Sequence, residues 1–372
     1  MKYTTLTTSL IAASTVVFMG VQPAISASNV ELEERISKLE MERGGGSDDS
    51  ALGQISEWVT VSGAVEVEAG FVSYDQADTD ESDISLATAE LGVEAQPLDW
   101  TTGFMLLSWD DDAEELVIDE AHITLGATEE MPAYMTAGKL YVPFGAYESM
   151  MISGPITQDL GEIAANALQA GIDVNGFRAA GYIFNGGVDE ADSDDTIESY
   201  GISLGYALET EQFSFDVGAD WVNNILESGL LGDALDGVML DEYVPGYALH
   251  TMLTVGPVCL IGEYVAMTDD AKEVGGEVAV YELSAYAVEA GITFDLAGLE
   301  TTVALGYQAS DTDNAAAYED FPETVILGSV GVGITDNLSM ALEYATVENY
   351  SGDKGGDCEE VDALTLQMAF EF

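Results

Sequence analysis

Carboxylates are the only chemically active groups this chain carries in quantity: 69 Asp and Glu stand against 8 Lys and Arg and 2 His, a formal net charge of -61. In such a background a pair of nearby acids is no signal for general acid-base chemistry, because pairs occur everywhere. Nucleophilic hydrolysis needs a base beside a Ser or Cys, and only His122 and His250 are available, neither within a nucleophile-elbow sequence. The residues therefore predict no enzyme. Acid runs at Asp78, Asp80, Glu81, Asp83 and at Asp192, Asp194, Asp195 lack the Gly and terminal Glu of a calcium loop, so neither a discrete metal site nor a cofactor is expected. Nucleic-acid binding is excluded by charge, since the bases beyond residue 50 are the scattered Lys139, Arg178, Lys272 and Lys354. With only Cys259 and Cys358, no disulfide framework is implied, and the two are expected to be unbridged.

The elements that must carry these acids read as strands. Although charge of this size usually means disorder, 47% of the residues are apolar, enough for a folded framework decorated with acids. In Val59, Val61, Gly63, Val65, Val67, Ala69 and Phe71 every second residue is apolar or small, with Thr60, Ser62, Glu66 and Glu68 between. The same period recurs in Phe213 to Trp221, in Leu338 to Tyr344 and in Leu364, Leu366, Met368, Phe370 and Phe372. Cutting at Gly, Pro, Asn and Asp clusters gives about sixteen strands, most long enough for the ~9 to 11 tilted residues that cross a bilayer. Seven short turns alternate with eight longer, mostly acidic loops, which puts all long loops on one side. The expected fold is all-β, a transmembrane antiparallel barrel over residues 57–372 in the outer membrane, with Phe370 and Phe372 as its assembly signal. A soluble β-sandwich is the rival fold; few Pro, the final Phe and the loop asymmetry argue against it.

Residues 1–27 resemble a cleaved secretory signal, with Lys2 before an apolar run and small residues at Ser26 and Ala27. Residues 28–43 place Asn29, Leu32, Ile36 and Leu39 on one seam of a short coiled coil, and residues 44–56 form a Gly/Ser linker. So short a seam needs several copies held together, which suggests a homotrimer, with a frayed charged tether as the alternative.

A barrel of sixteen to eighteen strands leaves an aqueous lumen. Alternation predicts that Glu66, Glu68, Glu90, Glu94, His122, Lys139, Arg178, Asp216, Asp220, His250, Glu263, Glu282 and Glu343 line it. The excess of acids predicts cation preference, unless the lumen is so wide that these are merely solvated wall residues. One loop, 143–166, is less charged than the rest. It carries Phe144, Tyr147, Glu148, Met150, Met151, Asp159 and Glu162, and is expected either to fold into the mouth as a constriction or to form a cap packed on neighbouring loops or across a subunit interface. The long 223–245 loop has the same ambiguity. Lipopolysaccharide, bridged by divalent cations, is the expected partner of the acidic exterior.

The run Gly138, Lys139, Leu140, Tyr141, Val142, Pro143, Phe144, Gly145, then Met151, Ile152, Ser153, Gly154, Pro155, Ile156 and Leu160, Gly161, Glu162, resembles outer-membrane siderophore porins of the LbtU type. The order of signal, coiled-coil segment and barrel is similar too. The resemblance implies a channel passing an iron-siderophore or similar small solute, and the short segment ahead of the barrel implies no folded plug. A general cation-preferring diffusion porin and a structural or adhesive surface barrel are the alternatives.

Overall fold

The computed structural model describes residues 58–372, apart from 77–79, 111–114, 129–130, 192–195, 211, 236 and 319–320. The predicted signal, coiled-coil segment and linker, and the acids at 78 and 192–195, lie outside the described residues.

Sixteen antiparallel strands close into one barrel. They are β1 (Val59–Tyr74), β2 (Asp80–Leu98), β3 (Thr101–Asp110), β4 (Glu115–Gly126), β5 (Ala133–Tyr141), β6 (Ala164–Val174), β7 (Phe177–Phe184), β8 (Ser199–Glu209), β9 (Phe213–Val222), β10 (Gly246–Val255), β11 (Val258–Met267), β12 (Leu283–Leu296), β13 (Leu299–Thr312), β14 (Thr324–Thr335), β15 (Leu338–Glu348) and β16 (Glu360–Glu371). Each pairs with its sequence neighbour, and β1 pairs with β16 to close the ring. At the seam Gly63 and Phe372 exchange backbone hydrogen bonds of 3.0 Å in both directions.

Closure satisfies every strand edge, which is what a sheet needs in lipid. Period-two alternation then sorts the side chains. Leu204, Leu249, Val288, Leu305, Leu342 and Leu366 are exposed on the outer face. Tyr200 with Trp221, Tyr247 with Tyr264, and Tyr286 with Tyr307 form aromatic pairs near the long-loop end. Trp100, Phe177, Phe213, Phe294 and Phe372 are exposed near the turn end. An apolar band between two aromatic girdles is the surface of a membrane-embedded barrel. Among the described residues no helix is long and apolar enough to cross a membrane.

Two bulges shift the phase locally. One lies opposite Glu66/Val67, where Thr88 pairs with Glu66 but Leu86 with Val67, so Leu86 turns outward while Thr88 turns in. The other, at Leu106/Leu107, does the same for Ile118 and Glu120 on β4. Short turns such as Asn175–Gly176 take positive φ at both central residues, as two-residue hairpins require.

Candidate functional site

The 142–163 loop between β5 and β6 folds into the barrel. Its apolar residues bury against the inner wall: Phe144, Leu160 and Ile163 share a cluster with Phe184, Val222, Ile225, Leu226, Val265 and Leu283. Helix α1 (Ile156–Gly161) packs on β11 and β12 and touches α2 (Gly229–Ala234) of the 223–245 loop. That second loop is itself tied to its neighbour, since Glu227 accepts from the Gly187 and Val188 N–H groups at 2.7 and 3.0 Å. Met239–Leu240 also pairs with Asp189–Glu190. The two expectations for the loops are thus divided: 142–163 enters the lumen, and 223–245 packs above it.

What holds the inserted loop is a row of acceptors on the wall. Asp220 takes the Gly145 N–H at 3.0 Å. Glu263 takes the Ala146 N–H at 2.7 Å, the Tyr147 N–H at 3.2 Å and the Thr157 hydroxyl at 2.8 Å. Glu289 takes the Ser149 hydroxyl and the Met150 N–H, both at 2.7 Å. Glu343 takes the Ile152 N–H at 2.6 Å and the Ser153 hydroxyl at 2.5 Å. Gln308 accepts from Ile156 N–H at 3.0 Å, and the Ser329 hydroxyl donates to Met150 O at 3.0 Å. Irregular backbone leaves N–H groups without partners, and buried ones cost free energy. Charged acceptors from β9, β11, β12 and β15 supply those partners.

This changes the meaning of several predicted pore residues. Asp220, Glu263 and Glu343 are buried anchors of the loop, not free charges along a water path. Glu68 is buried as well, accepting from Gln367 at 2.9 Å across the seam. Glu66 accepts from Thr88 at 2.7 Å. Glu90, Glu94 and His122 stand on the inner face of β2 and β4, with the His122 ring against Phe104. Arg178 donates to Asp216 at 2.7 Å, and His250 lies 3.6 Å from both Asp216 and Asp220.

Two predicted positions are corrected. Lys139 pairs with Asn166 and shares the face of Ala137 and exposed Leu168, the outer one; its Nζ reaches Ile118 O at 2.8 Å. The inner face beside it is taken by Leu140, buried under the inserted loop, so polarity was a false guide to phase there. Glu282 precedes β12 and sits in the 268–282 loop, its N–H donating to Asp270 at 2.8 Å. Missed were Glu289, Gln308, Asp119 and Glu120. Glu289 carried the same alternation signal as Glu263; the uncharged Gln308 carried none.

Of the predicted loop residues, Phe144 and Met151 are buried, while Tyr147 and Met150 pack at the edge of the cluster. The Tyr147 hydroxyl donates to Phe144 O at 2.5 Å, tightening the bend. Glu148, Asp159 and Glu162 remain partly exposed. Burial pushes Asp159 up to about 7, and Glu162 likewise to about 7, with Asp119, Asp159 and Glu120 adding repulsion. Burial also raises Glu148, with Asp216 opposing its charge. The wall carboxylates under the loop are thus hydrogen-bonded to it, while on β2 and β4 Glu90 keeps a buried oxygen without a hydrogen-bond partner, Glu94 is exposed, and Glu120 accepts from the Tyr141 N–H and stands 3.7 Å from His122. Cys259, at the start of β11, and Cys358, in the 349–359 loop, are free. No group of three or more metal-binding side chains occurs among the described residues.

Comparison with known proteins agrees with this architecture. The chain superimposes on the outer membrane channel DcaP of Acinetobacter baumannii with TM-score 0.59 and 16% identity, covering 84% of this chain and 97% of that one. An anion-selective porin from Comamonas acidovorans gives TM-score 0.58 at 13% identity, covering 84% and 99%. Pseudomonas putida OprB gives 0.58 at 9%, covering 86% and 96%. The fold is that of the outer-membrane porins. In sequence the chain is similar to a UPF0422 protein of Coxiella burnetii, 28% identical over 305 residues, which are 79% of this chain and 65% of that protein. The UPF0422 protein lpg2959 of Legionella pneumophila is 24% identical over 191 residues, covering 46% and 34%. The chain therefore spans less than two thirds of the curated relatives it matches. No protein-family profile matches it.

Proposed function

We propose that this protein is a trimeric outer-membrane channel that admits small solutes through an eyelet between the 142–163 loop and the acidic wall of β1 to β4. The inserted loop carries the reading: a closed barrel needs no such loop to be stable, whereas a solute filter does. A purely structural or adhesive barrel gives no reason for four carboxylates to hold a loop across its interior. The outer membrane follows from the apolar band and girdles, which suit lipid, and from the porin fold. The trimer draws support from Vibrio cholerae OmpT, a fold neighbour with TM-score 0.52 described in a trimer form.

Glu90 and Glu94, which the inserted loop does not engage, favour cations in the eyelet, with Glu120 beside them. The resemblance to siderophore porins adds an iron chelate to the solutes to try, but a polycarboxylate chelate would be repelled by this lining unless its metal offsets the charge. Conductance and reversal potential across a planar bilayer in a salt gradient test the proposal. Cation selectivity with ohmic conductance is expected; saturable block by an iron chelate would add the specific role. Absence of conductance by the purified, heat-modifiable protein would overturn the channel, and anion selectivity would overturn the role given to the acids.

A further inference from the structure

Below Tyr147 and Glu148 the inserted loop leaves a cleft of about 120 Å³ against β7 to β11, whose wall includes Arg178, Asp216, His250 and Met252. Strand register explains how it is built. Arg178, Gly205, Gly218 and His250 stand side by side on β7, β8, β9 and β10. Both central positions are glycines, and the two basic side chains lie over them. A Cβ at Gly205 would come within 3.0 Å of the Arg178 guanidinium, and one at Gly218 would overlap the His250 ring. Two glycines in one row give the basic groups a shelf that any larger residue would fill.

Arg178 keeps donors to spare beside its partner Asp216. Arg178 makes one hydrogen bond, to Asp216, out of five donors, and its side chain is 44% exposed. Asp220 Oδ1 is buried without a hydrogen-bond partner, while His250 Nδ1 stands 3.6 Å from Asp220 Oδ2. Glu148 lines the same cleft, near enough to Asp216 and His250 to feel their charges, and Met252 with Ile261 supplies an apolar flank. Of the other basic residues in the barrel, Lys139 is on the outer face, while Lys272 and Lys354 pair with Asp269 and Asp311 in loops. Among the described residues, Arg178 is thus the only Lys or Arg on the lumen wall.

Elsewhere on the lumen wall a simple anion meets carboxylates without a Lys or Arg, whereas here Arg178 and His250 stand among Glu148, Asp216 and Glu263; a simple amine gains nothing from the guanidinium. A molecule with both charges a few ångströms apart satisfies both sides. We propose that the cleft is a binding subsite for small zwitterions of the α-amino acid type. The carboxylate lies in the fork of Arg178, the ammonium group faces Glu148, and a short aliphatic side chain rests on Met252 and Ile261. This rests on the channel reading for how the solute arrives, not for whether it binds.

The test uses the full chain in detergent with three probes of similar body: valine, isovalerate, which lacks the amine, and isobutylamine, which lacks the carboxylate. Calorimetry is expected to show saturable valine binding and at least tenfold weaker binding of the other two. A charge-assisted hydrogen bond is worth ~1.5–3 kcal/mol, so Arg178→Gln and Glu148→Gln should each weaken valine about tenfold or more. Gly205→Val, which keeps both charges but fills the shelf, should weaken it too. If Arg178→Gln fails to assemble, Arg178→Lys serves, since it keeps the charge and loses the fork, and about tenfold loss is again expected. Isovalerate or isobutylamine binding as well as valine, unchanged affinity in the variants, or no saturation by valine would each overturn the subsite. Conductance is measured separately. Valine binding by a non-conducting protein sinks the channel alone, and conductance without valine binding sinks the subsite alone.

Discussion

Removing one anchor of the inserted loop should open the pore, and Glu263 is the anchor to remove. Its two oxygens take two backbone N–H groups and one hydroxyl, at 2.7, 3.2 and 2.8 Å, in a buried setting. Glu263→Gln keeps one acceptor oxygen and loses the charge and the second oxygen. Hydrogen bonds to charged groups are worth ~1.5–3 kcal/mol, so the seated loop should lose about that much relative to the lifted one, roughly a 10- to 150-fold change in that equilibrium. Glu263→Ala strands all three donors and should cost more, since each buried unsatisfied group carries a penalty of ~1–3 kcal/mol. Asp220, Glu289, Glu343 and the apolar cluster still hold the loop, so it should flicker rather than leave. In single-channel recordings this reads as larger, noisier open levels, and in limited proteolysis as cleavage near Phe144 and Tyr147 that the parent resists. Glu94→Gln, a lumen carboxylate that anchors nothing, is the control. If both Glu263 variants match the parent in noise, conductance and proteolysis, the wall carboxylates do not hold the loop and the account of the constriction is wrong.

Other expectations follow from the same geometry. Asp159 and Glu162, both near 7, are protonated below that pH and charged above it, so cation selectivity should fall as pH drops from 8 to 6. Because their folded values lie above the unfolded ones, the folded loop binds more protons; its stability is fullest in acid and declines as pH rises toward about 7. A profile flat between pH 6 and 8 for the parent would refute this, and Asp159→Asn with Glu162→Gln should flatten it. Leu305, 68% exposed on the outer face of β13, should cost about 2–4 kcal/mol when replaced by Arg, measured by urea unfolding in lipid vesicles. Glu94→Arg in the lumen should leave that stability nearly unchanged while shifting the reversal potential toward anions. Equal destabilisation by the two would deny that the outer face meets lipid. Cys259 and Cys358 should react with a thiol reagent without prior reduction; a mass shift appearing only after reduction would show them bridged.

The strands, their number and the order of short and long connections were legible because a sheet with one oily and one wet face writes its period directly into the residues. The 142–163 loop stood out for a related reason: an apolar segment among acidic loops must be covered by something. Illegible were the roles inside the lumen. Glu263 and Glu94 look alike along the chain, yet only Glu263 faces the inserted loop, because that depends on register across strands more than 80 residues from the loop. Lys139 was misread because the inner face at its level is apolar, with Leu140, Phe184 and Val222 buried beneath the loop, so the rule that polar means inward inverts there. Bulges that place Leu86 and Ile118 outside add a local change of phase that only pairing reveals. The glycine shelf under Arg178 and His250 is invisible for the same reason: its four residues come from four strands.

The seam between β1 and β16 also bears on how the barrel is made. Glu68 and Gln367, which meet across it, are 299 residues apart in the chain, whereas other neighbouring strands join through turns and loops of modest length. Hairpins pay little loop-closure entropy and can zip one after another; the seam can form only once the fifteen other pairings have brought its ends together. Until then β1 and β16 are open edges with unpaired N–H and C=O groups, the surfaces most prone to pair wrongly. Assembly of this barrel should therefore have a late, slow, all-or-none closing step, and substitutions at Gly63, where a side chain would collide with the Phe372 ring, should slow that step rather than the formation of individual hairpins.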